Sequence, residues 1–156
     1  MQTLEKAPLF TLPDEHCRPV SLEEQLGYGP VVLLFYRGDW CAYCNGQLAN
    51  YVANLETLEA LGVRVLAISV DEGPDSAKLK AKLGFPFPVL SDPEHQAING
   101  YAGLEPTLRQ GRAIGKPATF ILRPDGTIAY RYVGEDYGDR PLIAEVLEKL
   151  EEVARA

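Results

Sequence analysis

Residues 31–44 constrain this chain more than any other stretch. Val31-Val32-Leu33-Leu34-Phe35-Tyr36 is a run of β-branched, aliphatic and aromatic side chains without polar alternation, the pattern of a strand buried on both faces of a sheet. Trp40-Cys41-Ala42-Tyr43-Cys44 follows closely. Apolar residues then recur at Leu48, Tyr51, Val52, Leu55, Leu58 and Leu61, which is helical spacing, until Gly62 stops the pattern. The CxxC pair therefore stands where a central strand hands over to a long helix.

That placement says more than the spacing alone. At a helix N-terminus the unpaired N–H groups and the helix dipole favour a negative sulfur, so cysteines there hold more thiolate, the reactive form. Residues three apart share a helix face, so Cys41 and Cys44 can close a small disulfide. Two other readings compete. A CxxC can be half of a zinc site, but such a site needs four Cys or His ligands, and the remaining candidates, Cys17, His16 and His95, lie in separate segments. Two inert core cysteines are the other alternative, for which the start of a helix is an odd location. Cys17, in a polar turn without a neighbouring partner, reads as a free surface thiol. His16 and His95 lack a companion for acid–base work and read as exposed polar residues.

The rest of the chain supplies a frame. Phe10–Leu12 and Val20–Leu22 flank a polar stretch and read as a short hairpin, with a helical turn over Glu23–Leu26. Val63–Val70 is a second buried strand, Ser76–Leu83 a short helix, Val89-Leu90 a strand fragment and Glu94–Tyr101 another helix. Ala118–Leu122 and Thr127–Val133, joined by Arg123-Pro124-Asp125-Gly126, should form an antiparallel hairpin. A last helix runs from about Pro141 to Ala154, with Leu142, Ile143, Val146, Leu147, Leu150 and Val153 on its buried face. The expected fold is one α/β domain with a mixed sheet, parallel early and antiparallel late, and 156 residues suit one core. The formal charge of −7 is the wrong sign for binding nucleic-acid phosphates or an anionic membrane surface. No apolar stretch reaches the roughly 20 residues of a membrane span. Met1–Phe10 shows no leader pattern, so a cytosolic location is expected.

Phe35-Tyr36-Arg37-Gly38-Asp39-Trp40-Cys41-Ala42-Tyr43-Cys44-Asn45 resembles the active-site segment of the peroxiredoxin-like branch of the AhpC/TSA family, within the thioredoxin fold. Ala7-Pro8-Leu9-Phe10-Thr11-Leu12-Pro13-Asp14 is similar to that family's opening strand, Ile68-Ser69-Val70-Asp71 to its second strand, and Phe85–Asp92 to a later segment. Pro117–Leu122 with Asp125–Ile128 resembles the late hairpin, and the stretch from Ser76 to Gly103 an insertion of the branch. The resemblance implies a thioredoxin-like fold with an N-terminal hairpin extension. It also implies departures from the usual site. In register, the peroxidatic cysteine falls on Cys44, the supporting Thr on Cys41, the Pro on Arg37, and the late-hairpin Arg on Pro117. A proline at this last place is a thioredoxin feature, implying a substrate-facing role for Pro117 and a cis Lys116–Pro117 bond.

Two chemistries share these residues. In dithiol exchange, an exposed Cys41 attacks a partner's disulfide and Cys44 resolves the mixed disulfide. This, in an antioxidant role, is the leading expectation. In the peroxidase alternative Cys44 attacks a hydroperoxide and Cys41 condenses with the sulfenic acid. A third class is a non-enzymatic redox-sensing module. Electrons would come from a thiol reductant such as a thioredoxin-type system, with a peroxide or protein disulfide as substrate. No metal, flavin or nucleotide cofactor is implied, there being no ligand cluster or GxGxxG loop. Trp40 and Tyr43 form either an apolar lip for substrate or, for Trp40 above all, part of the core. Asp136-Tyr137 with Arg140 resembles a segment of the same branch and reads either as a cover over the site or as a surface loop. Asn45-Gly46 is helix-poor, either to let the first turn loosen on oxidation or to admit close packing.

Overall fold

A computed structural model describes residues 5–155; the first four residues of the leader-free N-terminal reading lie outside them. The opening hairpin pairs β1 (Thr11–Pro13) with β2 (Pro19–Ser21) in antiparallel register, Leu12 opposite Val20. Ser21 caps α1 (Leu22–Leu26), its hydroxyl accepting the Glu24 N–H at 3.3 Å. The hairpin is tied to the body by Glu15, whose buried carboxylate takes the Lys80 ammonium at 2.9 Å.

The main sheet has five strands in the order β5-β4-β3-β6-β7. Its centre is β3 (Val31–Phe35), parallel to β4 (Arg64–Ser69) and antiparallel to β6 (Ala118–Leu122). β5 (Val89–Ser91) extends the parallel side and β7 (Ile128–Val133) the antiparallel side. Every residue of β3 is buried, because alternate side chains feed two cores. Val31, Leu33 and Phe35 join Phe10, Leu12, Leu22, Tyr101 and Phe120 on one face. Val32, Leu34 and Tyr36 meet the helices on the other: α2 (Ala42–Ala53), α3 (Leu55–Ala60), α4 (Gly73–Leu83) and α5 (Ile143–Arg155), through Leu48, Tyr51, Leu58, Leu79, Val146 and Leu150. Cys41 and Cys44 belong to this second core. The mixed α/β sheet is the one the sequence predicts.

Five expectations need correction. The long helix after the cysteines is broken at Asn54, which leaves helical geometry and turns its side-chain amide back to the Asn50 carbonyl at 2.8 Å. The helix over Glu94–Tyr101 shrinks to a 3₁₀ turn at Ile98–Gly100. There His95 sits at φ +64°, and the buried Asp92 carboxylate takes the N–H groups of Gln96, Ala97 and Ile98 at 2.8–2.9 Å. His95 is also half-buried, its Nε2 3.3 Å from the Ala113 carbonyl, rather than exposed. Leu142 lies before α5 and is 75% exposed, not on its buried face. The described residues contain no cis peptide bond, so Lys116–Pro117 is trans. Pro117 stands immediately before β6 and serves as a strand-start proline whose carbonyl accepts the Gly134 N–H at 2.8 Å. No helix among the described residues is long and apolar enough to cross a membrane.

Candidate active site

The site begins where β3 ends. Tyr36 still donates its N–H to Ile68 in β4, after which Arg37–Trp40 form a turn. A side chain at Gly38 would run into the indole of Trp40, so glycine lets the ring lie across the turn. The turn is pinned from below by Asp71, whose buried carboxylate accepts the Asp39 N–H at 2.8 Å. Cys41 then caps α2: its backbone is extended and its Sγ accepts the Cys44 N–H at 3.3 Å. The Asn45 side chain locks the same turn by donating to the carbonyls of Asp39 and Cys41 at 2.9 and 2.8 Å.

Both thiols are free and buried, Cys41 at 4% and Cys44 at 1% exposure. The exposed attacker expected at Cys41 is therefore covered. Its cover is Arg140, which reaches in from the segment between β7 and α5. One guanidinium nitrogen, Nη2, lies 3.1 Å from Cys44 Sγ and 3.9 Å from Cys41 Sγ. The other, Nη1, donates to Gln47 Oε1 at 2.5 Å, and Nε donates to the Tyr137 carbonyl at 3.0 Å. Gln47 is held in turn by the buried Thr119 hydroxyl at 3.2 Å. A second donor reaches Cys44 Sγ from the turn, the Arg37 N–H at 3.3 Å.

These contacts split the ionisation of the pair. A hydrogen bond from the Cys44 thiol, together with the Cys44 N–H and the Arg140 charge, outweighs burial and lowers the Cys41 thiol to about 5. Burial first, then the ionised neighbour, drives Cys44 far upward. One proton leaves the dithiol easily and the second is retained, a property of the pair rather than of either sulfur. The charge of the resting pair therefore lies on Cys41, while Cys44 Sγ, nearest the Arg140 Nη2 and the Arg37 N–H, is where those donors meet a charge passed across the pair.

Around the sulfurs lies an aromatic and cationic rim. Tyr43 and Tyr137 meet edge to face at 5.3 Å, and the Arg37 guanidinium stands 4.9 Å from the Trp40 ring and 5.6 Å from that of Tyr137. Trp40 is partly exposed and Tyr43 is 55% exposed, so neither ring is part of the core. A cavity of about 750 Å³ opens beside α2, lined by Tyr43, Gly46, Gln47, Arg140, Leu142 and Ile143 among others. Pro117 lines a smaller one, of about 280 Å³, with Arg37, Glu105 and Tyr137. Cys17 is exposed and free, outside this assembly. Sequence reasoning missed Gln47, Thr119 and Glu105. Gln47 carried a local signal, being one helical turn beyond Cys44; the others come from distant segments and carried none.

Fold and site together define a thioredoxin-fold cysteine oxidoreductase. Residues 3–131 match the model of the AhpC/TSA family, and the chain belongs to that family. Among its relatives is the chloroplastic peroxiredoxin Q of Oryza sativa subsp. japonica, 33% identical over 81% of this chain and 56% of that protein. The thiol-disulfide oxidoreductase ResA of Bacillus thuringiensis is 27% identical over 86% of this chain and 72% of that one. The crystal structure of the peroxidoxin BcpB from Mycobacterium tuberculosis superposes with a TM-score of 0.86, covering 98% of each chain at 24% identity, and confirms the fold. The protein is a cysteine-based redox enzyme of the thiol peroxidase or thiol-disulfide oxidoreductase kind.

Proposed function

We propose that this protein is a dithiol-dependent hydroperoxide reductase, with Cys44 as the attacking sulfur and Cys41 as the resolving one. The carrying observation is the convergence of the Arg140 guanidinium and the Arg37 N–H on a buried Cys44 Sγ, at 3.1 and 3.3 Å. Such donors stabilise the thiolate and remain in place to hold the peroxide oxygens as the O–O bond breaks. Arg140 thus supplies, from the segment before α5, the charge that the family's late-hairpin arginine would have supplied at Pro117.

The Cys44 thiol passes its proton to the Cys41 thiolate as its sulfur attacks one peroxide oxygen; the O–O bond breaks, and the alkoxide or hydroxide takes a proton from solvent, giving Cys44 sulfenic acid and an alcohol or water. The Cys41 thiol then displaces water from that sulfenic acid to form the disulfide. Two thiols of a reductant return the pair to the dithiol and leave as their own disulfide. A small hydroperoxide reaches these sulfurs past Arg140 and Tyr137 with far less rearrangement than a folded protein carrying a disulfide. We place the protein in the cytosol, where a thiol pool supplies those electrons.

Dithiol exchange remains the second reading, favoured by the low ionisation of Cys41 at the helix cap and by a rim of Trp40, Tyr43 and Pro117 suited to an extended substrate. Turnover of hydrogen peroxide and of a protein disulfide by wild type, Cys41→Ser and Cys44→Ser separates the two. The peroxidase loses its turnover in Cys44→Ser, and Cys41→Ser accumulates sulfenic acid. Peroxide turnover retained by Cys44→Ser overturns the proposal. Disulfide reduction by wild type that vanishes in Cys41→Ser, without peroxide consumption, establishes the second reading.

A further inference from the structure

The residue in the register position of the family's proline is a charged one, Arg37, and its charge is already engaged. Glu105 takes it in a two-point ion pair, Arg37 Nε to Oε2 at 2.5 Å and Nη2 to Oε1 at 3.2 Å. Both side chains are about 15% exposed, at 16% and 15%, so the pair is mostly shielded from water and its geometry counts. Glu105 stands on a hairpin arm closed by the bridge between Leu104 and Gly115 and by the Glu105 N–H to Ile114 carbonyl bond at 2.9 Å. The arm grips the active-site turn a second time, with the Arg109 guanidinium 3.6 Å from the Trp40 ring centre, and is anchored just past the end of β4 through Arg112 on the Val70 carbonyl.

We propose that Glu105 is a positioning residue that fixes the Arg37 guanidinium on the hairpin arm, so that this ion pair governs how readily the dithiol releases its first proton. The Arg37 backbone donates to Cys44 while its side chain, in reach of Cys41, is pulled toward Glu105. The carboxylate acts by competing for the cation. Other groups facing the pair are Arg140 from the segment before α5, Tyr36 at the end of β3, and Asp71 beyond β4, which fixes the Asp39 N–H. Arg140 makes the direct contact, and Glu105 limits what Arg37 can add to it. The inference rests on Cys41 and Cys44 being the reactive pair, whichever substrate they serve.

The test is a thiolate titration by ultraviolet absorbance, read on wild type, Glu105→Gln, Arg37→Met and the double variant. It needs neither peroxide nor disulfide turnover, so it fails or succeeds independently of the peroxidase reading. Glu105→Gln keeps a hydrogen-bonding side chain but frees the cation, and moves the first ionisation to lower pH by a factor of roughly three to ten in proton concentration. Arg37→Met moves it upward, and adding Glu105→Gln to that background changes nothing further. Glu105→Asp, which keeps the charge, titrates close to wild type and controls for damage to the arm. An unmoved or raised ionisation in Glu105→Gln overturns the proposal, as does an equal shift in the Arg37→Met background.

Discussion

At the scale of single residues, the site depends on one arginine held by three acceptors. Arg140 spends Nε on the Tyr137 carbonyl and Nη1 on Gln47, leaving Nη2 for sulfur. A lysine carries the charge without this fork. Arg140→Lys should therefore lower kcat/KM for hydrogen peroxide by about a hundredfold, the range seen when one preorganised donor is lost. It should also raise the first ionisation of the dithiol. Steady-state peroxide consumption and the thiolate titration check both, and unchanged turnover would assign Arg140 to packing. Cys41 has a separate structural duty as the N-cap of α2. Cys41→Ser keeps an acceptor for the Cys44 N–H, whereas Cys41→Ala strands it, so Cys41→Ala should be less stable than Cys41→Ser by about 1 kcal/mol in urea unfolding.

At the scale of elements, the first turn of α2 is where oxidation is felt, because Cys41 Sγ caps the helix by accepting the Cys44 N–H and becomes a weaker acceptor in a disulfide. Gly46 sits just behind, and a Cβ there would meet nothing within 4 Å, so close packing does not account for it. Gly46→Ala fits without a clash and should stabilise the reduced protein by about 0.5–1 kcal/mol. By stiffening that turn it should also slow disulfide formation, measurable as the loss of two hydrogens in intact mass after a pulse of peroxide; an unaltered rate would show that the turn need not loosen. The elements themselves were legible where a period or a turn signal was strong: the unbroken apolar run of β3, the Pro-Asp-Gly turn before β7, the paired apolar ends of the first hairpin. They were not legible where one side chain overrode the pattern. Asn54 turned back on Asn50, and the Asp92 carboxylate drew in three N–H groups from the stretch read as a helix. The same holds for the site. The cysteines were visible because their position between strand and helix is local information; Arg140 was legible only through the family resemblance that offered its segment as a cover, while Glu105 and Thr119 reach the site only through the tertiary fold.

At the scale of the whole molecule, the sheet divides two cores, and the dithiol lies in the one that the helices cover. Leu150 is fully buried in that core, on α5. Leu150→Ala should cost about 2–5 kcal/mol of stability while leaving peroxide turnover per folded molecule within about twofold, an estimate resting on independence of well-separated sites. The reverse holds for Asp71, which lies beneath the active-site turn and titrates with the fold. Burial first, then the charges of Asp39 and Asp75, raise its carboxyl to about 6 against the Asp39 N–H and Arg112, which lower it. A carboxyl raised in the folded state favours folding fully below its unfolded value, near 3.8, and that contribution is lost as pH rises through about 6. Asp71→Asn keeps an oxygen for the Asp39 N–H but never ionises. Its stability relative to wild type should therefore improve by roughly 2 kcal/mol between about pH 4 and about pH 8, read as the difference in urea midpoints. A gain that shrinks over that interval would mean that the ionised carboxylate stabilises the fold. In the expected case the chain keeps a costly buried carboxylate because its charge tightens the hydrogen bond that sets the turn, and with it the Arg37 N–H on Cys44. Peroxide turnover by Asp71→Asn should accordingly fall even as the molecule becomes harder to unfold.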